Sequence, residues 1–389
     1  MKIKRVMAAV MCTVVLACGC GNNEGSDVKK DGEENQQEEA VTQTEPEEKE
    51  YQEKLDMIEP SAYRDVSGLK LEPGSYISVI GKADGGEYWE QVEAGASQAV
   101  ADINKNLGYK GKDEVKVVYS GPGEAGDVDE QVNILDEELA RYPVALSIAV
   151  VDSKACGVQF DLAAESGIPI VAFDSGNDYP GLMAMVATDN KKMASEAADH
   201  MAEFTGSSGE VIMFVSDSCS ESAMARETGF MEQIGAAYPE MMITEVYHMD
   251  QQEDMRNLIA AEKGIEYPEE ITEEEILDYI LARHPELKGC YATDGETTNA
   301  VVDALARAGR EGVKVIGYDA DEEEQKALKD GKIDGLVVQN PFGMGYASVI
   351  ASARAALSMG NEAYINTGAV WVTKENLESD RVKKLLEVN

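Results

Sequence analysis

The sequence predicts an α/β protein of two lobes, each a parallel sheet covered by helices. Three observations carry this. From about residue 75 onward, short apolar runs of strand length alternate with amphipathic segments of helical period, and strands alternating with helices pair in parallel and are covered on both faces. About ten such strand–helix units follow one another, more than one small sheet holds. The chain has 389 residues, 43% of them hydrophobic, enough for two ordinary cores.

The elements are read in order. Lys2, Lys4 and Arg5 precede an apolar run at residues 6–17, too short to span a bilayer and suited to the core of a secretory signal. The run ends in VVLACGCGNN, and a cysteine after small residues there resembles a bacterial lipobox; Cys18 and Cys20 both fit as the lipidated residue. Residues 1–20 are therefore expected to be a lipoprotein signal segment, anchoring the chain to the outer face of the cell membrane. Residues 21–60 hold 14 acidic and 4 basic residues with one aromatic, Tyr51. Such a composition does not offset its ordering entropy, so residues 21–70 are expected to form a solvated acidic tether.

Strand-like runs then fall at 75–80, 115–119, 144–149, 169–173, 183–187, 210–215, 242–247, 289–292, 313–318 and 335–339. Helical patterns occupy 88–106, 128–141, 154–166, 191–204, 221–238, 273–283, 297–308 and 344–359. Asp127 and Asp152 stand where N-caps belong, and Gly167 and Gly309 where helices end. Residues 264–272 are polar and acidic and read as a surface insertion.

Composition excludes several classes. With 74 acidic and 34 basic residues the formal charge is −40, which opposes nucleic-acid binding and a basic membrane patch. His200, His248 and His284 share no metal-like spacing, and no metal or cofactor is expected. No G-x-S-x-G or H-E-x-x-H occurs, so no enzyme is expected, and GKADGG at 81–86 lacks the P-loop arrangement. GPGEAG at 121–126 matches G-x-G-x-x-G literally, but Pro122 removes a donor and Glu124 and Asp127 would repel a pyrophosphate; it reads as a glycine-rich loop. DADEEE at 319–324 reads as an acidic helix start, with Asp319 set apart by position. Cys156, Cys219 and Cys290, an odd number far apart, give no readable disulfide framework.

Ligands of open α/β sheets sit at the carboxyl ends of strands. Those ends read GKADGGEYWE, VAFDSG, ATDGE, GYDAD and VVQNPFGMG, and three carry an aspartate at the same kind of spot: Asp174, Asp294 and Asp319. Each alone suits an N-cap or turn; several around one cleft suit a ligand rich in hydroxyls. Tyr88 and Trp89 offer flat faces for a sugar ring, or core packing at a helix start.

These pieces, with EQVNILDEELARYPVALSIAVVDSKA at 130–155, GIPIVAFDSG at 167–176, ARETGF at 225–230, YATDGETTNAVVDALARAG at 291–309, VIGYDA at 315–320 and VVQNPFGMGY at 337–346, make the chain from about residue 75 resemble the periplasmic sugar-binding proteins of the ribose-binding type, which feed ABC importers. The resemblance implies the periplasmic binding protein type I architecture: two Rossmann-like lobes joined by a three-strand hinge, crossing near 187–188, 339–340 and 368. Lobe one would be 71–187 plus 340–368, lobe two 188–339 plus 369–389. It further implies a small-molecule sugar as ligand, bound through Tyr88, Trp89, Asp174, Arg226, Asp294, Asp319 and Gln339, an ABC permease as partner, and a monomer. Met249 falls near a position often held by a stacking aromatic. Ser175 stands where the ribose type has arginine, Gly85 and Gly86 replace asparagines, and Asp294 replaces a common asparagine; Arg226 is then the one obvious cation for the carboxylates. The rival reading is a receptor that binds an autoinducer, nucleoside or polyol and reports to a membrane sensor.

Overall fold

The computed structural model describes residues 50–387. The signal segment, Cys18, Cys20 and the tether up to residue 49 lie outside the described residues. Helix α1 (Gln52–Asp56) precedes strand β1 (Tyr76–Ile80), and the first lobe continues through α2 (Glu87–Leu107), β2 (Lys116–Ser120), α3 (Val128–Ala140), β3 (Ala145–Ile148), α4 (Gly157–Glu165), β4 (Ile170–Phe173) and β5 (Met185–Ala187). The second lobe is built from α5 (Asn190–Thr205), β6 (Gly209–Val215), α6 (Glu221–Ala237), β7 (Met241–His248), α7 (Gln252–Lys263), α8 (Glu273–Arg283), β8 (Leu287–Ala292), α9 (Gly295–Arg307), β9 (Lys314–Tyr318), α10 (Glu322–Asp330) and β10 (Gly335–Gln339). The chain returns to the first lobe for α11 (Pro341–Ala356) and β11 (Tyr364–Asn366), and ends in the second with β12 (Ala369–Val372) and α12 (Asp380–Leu386).

The sheets run β11-β5-β4-β3-β1-β2 and β12-β10-β9-β8-β6-β7. The first five strands of each lobe follow the same order, so each sheet has a switch point flanking its first strand: β1 pairs with β2 and β3, and β6 with β7 and β8, all in parallel. Among the described strands only β12 runs antiparallel, against β10. Strands β3, β4 and β10 are buried along their whole length, as expected of strands covered on both faces. Helices α2 and α11 meet at backbone distance. A Cβ on Gly95 would stand 2.0 Å from the Phe342 carbonyl oxygen, and one on Gly345 would stand 1.9 Å from that of Val92.

Several expectations are corrected. The tether does not extend to residue 70: Leu55, Ile58, Tyr63, Leu69 and Leu71 are buried in the core of the first lobe. Five spaced apolar side chains suffice to dock this segment, and the average acidity of the stretch hides them. Asp152 caps no helix; it accepts from the Lys154 amide in a turn, and α4 starts later, at Gly157. Asp127 does cap α3, accepting from Glu130 at 2.9 Å. The stretch 264–272 lies at the surface as expected, except that Ile271 enters the same core as Ile259 and Ala260. Cys156, Cys219 and Cys290 are free thiols.

Candidate functional site

The carboxyl ends of the two sheets face each other. Asp174 follows β4 and Asp319 follows β9, the same position in the two lobes. Both are left-handed, at φ 57° and φ 65°, a conformation that a non-glycine residue holds only where its surroundings over-determine it. Neither side chain caps a helix. Both oxygens of Asp174 are engaged: Oδ1 accepts from the Tyr88 hydroxyl at 2.7 Å, and Oδ2 lies 3.2 Å from the Lys82 ammonium. Asp319 Oδ1 accepts from Gln339 Nε2 at 3.0 Å. That bond fixes the Gln339 amide, whose buried Oε1 has no partner among the described residues.

Arg226, on α6, is almost wholly buried. Its Nε donates to Asn190 Oδ1 at 2.8 Å, its Nη1 to the Thr293 carbonyl at 2.6 Å, and its guanidinium lies 4.2 Å from the Tyr318 ring centre. It is thus preset by its own lobe. Burial works against its charge, but Tyr318, Asp319 and Asp174 together hold its pKa above the ordinary arginine value. Burial, opposed by Arg226 and the Gln339 hydrogen bond and reinforced by the charges of Asp294 and Asp174, pushes Asp319 up to about 6. Burial likewise raises the Tyr88 phenol, with Asp174 and Asp319 adding to it and Arg226 opposing. Tyr88 from one lobe and Arg226 from the other therefore each feel both aspartates.

The remaining expected residues are less uniform. Asp294 is the N-cap of α9, accepting from the Thr297 amide at 2.9 Å, the bland role open to any aspartate at such a place. Trp89 is half-buried, edge-on to Tyr88 at 5.0 Å and to Phe173 at 6.4 Å. Met249 packs against the core of the second lobe. Arg226 is not the only cation, because the ion pair on Asp174 comes from Lys82. Lys82, Asn190 and Tyr318 were missed. Lys82 was legible as the one basic residue in the loop after the first strand; Asn190 and Tyr318 gave no signal without the fold. The GPGEAG loop uses its amides internally, Gly126 on the Lys82 carbonyl at 3.0 Å and Gly123 on Glu130 at 3.0 Å.

The lobes touch at the mouth of this cleft. Ser153 donates its amide to the Cys219 carbonyl at 3.0 Å, Gly176 to Glu221 Oε2 at 3.0 Å, and Ser222 to Ser175 Oγ at 3.4 Å, while Lys82 reaches Ser222 Oγ at 3.4 Å.

Residues 77–361 match the family described as periplasmic binding protein domain. The chain is 24% identical over 220 residues to the ribose import binding protein of Salmonella typhimurium, covering 57% of this chain and 68% of that one. It is 26% identical over 264 residues to the D-ribose/D-allose-binding protein of Pseudomonas aeruginosa, covering 66% and 74%. Among solved structures, a carbohydrate transporter solute-binding protein from Agrobacterium radiobacter in complex with D-arabinose is 29% identical, with TM-score 0.66 over 80% of this chain and 99% of that one. An ABC transporter solute-binding protein from Agrobacterium vitis with bound D-fucose is 26% identical, with TM-score 0.68 over 80% and 100%. The chain belongs to the periplasmic binding protein family.

Proposed function

We propose that the cleft binds a monosaccharide or a similar polyhydroxylated molecule by hinge closure, and that the closed form delivers it to an ABC importer. The observation that carries the reading is the pair of left-handed aspartates at matching strand ends, Asp174 held by Tyr88 and Lys82 and Asp319 by Gln339, with Lys82 also reaching Ser222 across the cleft. Sugar hydroxyls donate to carboxylates and accept from guanidinium and ammonium groups, and the unpartnered Gln339 Oε1 supplies a further acceptor. Tyr88, Asp174 and Lys82 come from one lobe, Arg226, Asp294 and Asp319 from the other, and Gln339 from the crossing between them. Neither lobe alone satisfies the ligand, so binding favours the closed state. The relatives named above support a neutral sugar as the ligand class.

The basic start, short apolar run and cysteine support a lipid anchor at Cys18 or Cys20, with the acidic stretch as the spacer between membrane and globule. The protein acts as a monomer held on the outer face of the membrane. Metabolic labelling with a lipid analogue tests this: loss of label in Cys18→Ala or Cys20→Ala identifies the anchor, and label retained in the double variant removes it. The ligand is tested by a thermal-shift screen of pentoses, hexoses, polyols and nucleosides. A sugar present at 100 times its Kd adds about 2.7 kcal/mol of stability, and a panel without any shift would refute the reading.

A further inference from the structure

Residues 50–59 lie across the back of the hinge and hold both lobes. On the first lobe, Tyr51 donates its hydroxyl to Asp102 at 2.9 Å and packs on Phe342 at 5.4 Å, and Leu55 and Ile58 are in the core. At the crossings, Asn340 donates to the Lys54 carbonyl at 2.7 Å, Glu59 exchanges backbone hydrogen bonds with Asn366 at 2.8 and 2.9 Å, and Met57 sits 3.1 Å from where a Cβ on Gly368 would be. On the second lobe, α12 is anchored in the core through Val382 and Leu385. Lys384 of that helix pairs with Glu53 at 2.7 Å, and the ammonium of Lys54 donates to the carbonyl of Glu387. Lys54 is 1% exposed and lies 5.0 Å from the Phe342 ring centre.

We propose that this segment is a brace that biases the hinge toward closure, with Lys54 the positioning residue that ties it to α12. The inference rests on the lobe motion of the proposed function. These links are made while the lobes touch at the cleft mouth. Lobe opening carries α12 away with the second lobe, whereas Lys54 stays with Leu55 in the first. That motion breaks the hydrogen bond from the Lys54 ammonium to the Glu387 carbonyl and the Lys384–Glu53 ion pair together, and a hydrogen bond from a charged donor contributes more than a neutral one. The brace thus raises the closed fraction before any sugar arrives, and affinity rises with the fraction that is competent.

The test needs no ligand. Because the Ser153 amide bonds the Cys219 carbonyl only with the lobes together, Ser153→Cys in the full-length protein can be oxidised onto native Cys219, and the rate of cross-linking reports the closed population. Lys54→Met in this background is expected to slow cross-linking about three-fold or more, and Lys54→Arg to restore it. Lys384→Gln, on the surface, is expected to slow it about two-fold and keeps the test open if Lys54→Met does not fold. Unchanged rates in the variants that fold would overturn the brace. No cross-linking in the parent Ser153→Cys protein would instead remove the lobe closure on which the proposed function depends.

Discussion

Asp174 and Asp319 are held at positive φ, which costs about 1–3 kcal/mol each, yet they do not cap helices. That separates them from Asp294, whose carboxylate is occupied as an N-cap. All three look alike in sequence; only the backbone tells them apart. The same holds for Arg226. Its place in ARETGF was legible, but its preset geometry depends on Asn190, Thr293 and Tyr318, three residues brought together by the second sheet. Asp319→Ala should weaken sugar binding by roughly 2–4 kcal/mol, because it removes an acceptor and strands the Gln339 amide; calorimetry checks this. Asp319 also sets a pH dependence. Its pKa in the folded protein is raised to about 6 from an ordinary 3.8, so the folded state binds its proton more readily than the unfolded one. Its burial therefore costs stability above about pH 6, and the cost is relieved as the pH falls toward 4. Sugar binding runs the other way: an ionised acceptor is needed, so affinity should fall as the pH drops through 6. Asp319→Asn should flatten that profile between pH 5 and 7, as measured by titration at each pH.

At the scale of elements, the strands were legible because each is a short apolar run between turn signals, and the ten runs from 75–80 to 335–339 all correspond to strands β1 to β10. Two that close the sheets, β11 and β12, were not. They are three and four residues long and only partly buried; β11 (YIN) offers no apolar run, while β12 (AVWV) offers one of only four residues that was not read as a strand. Helices α1, α7 and α12 were missed for a related reason: each is charged on most faces, and its few apolar residues dock only because a neighbouring core is within reach. The pair α2 and α11 shows the opposite extreme. Their contact at Gly95 and Gly345 leaves no room for a side chain, which lets two long helices lie together against the first sheet. Gly95→Ala should lower stability by about 3 kcal/mol, with the backbone forced apart, as read from the midpoint of denaturant unfolding. A variant with an unchanged midpoint would mean that the helices separate freely.

For the whole molecule, the shared strand order of the two lobes explains why the site exists where it does. Each sheet brings its loops to its own carboxyl edge, and the crossings at Ala187–Thr188, Gln339–Asn340 and Thr367–Gly368 turn those edges toward one another. Under the proposed function a ligand between them would be held by both halves, so that binding and closure become one event. The net charge of −40 does not enter that event directly, because the charges that matter are the few enclosed ones. The central claim is that both aspartates serve one bound sugar. Titration calorimetry of D-ribose, D-arabinose, D-allose and D-fucose against the native protein, Asp174→Asn and Asp319→Asn tests it most directly. The account predicts saturable one-to-one binding of at least one of these sugars by the native protein, weakened about tenfold or more in each variant. Full affinity in either variant would contradict it.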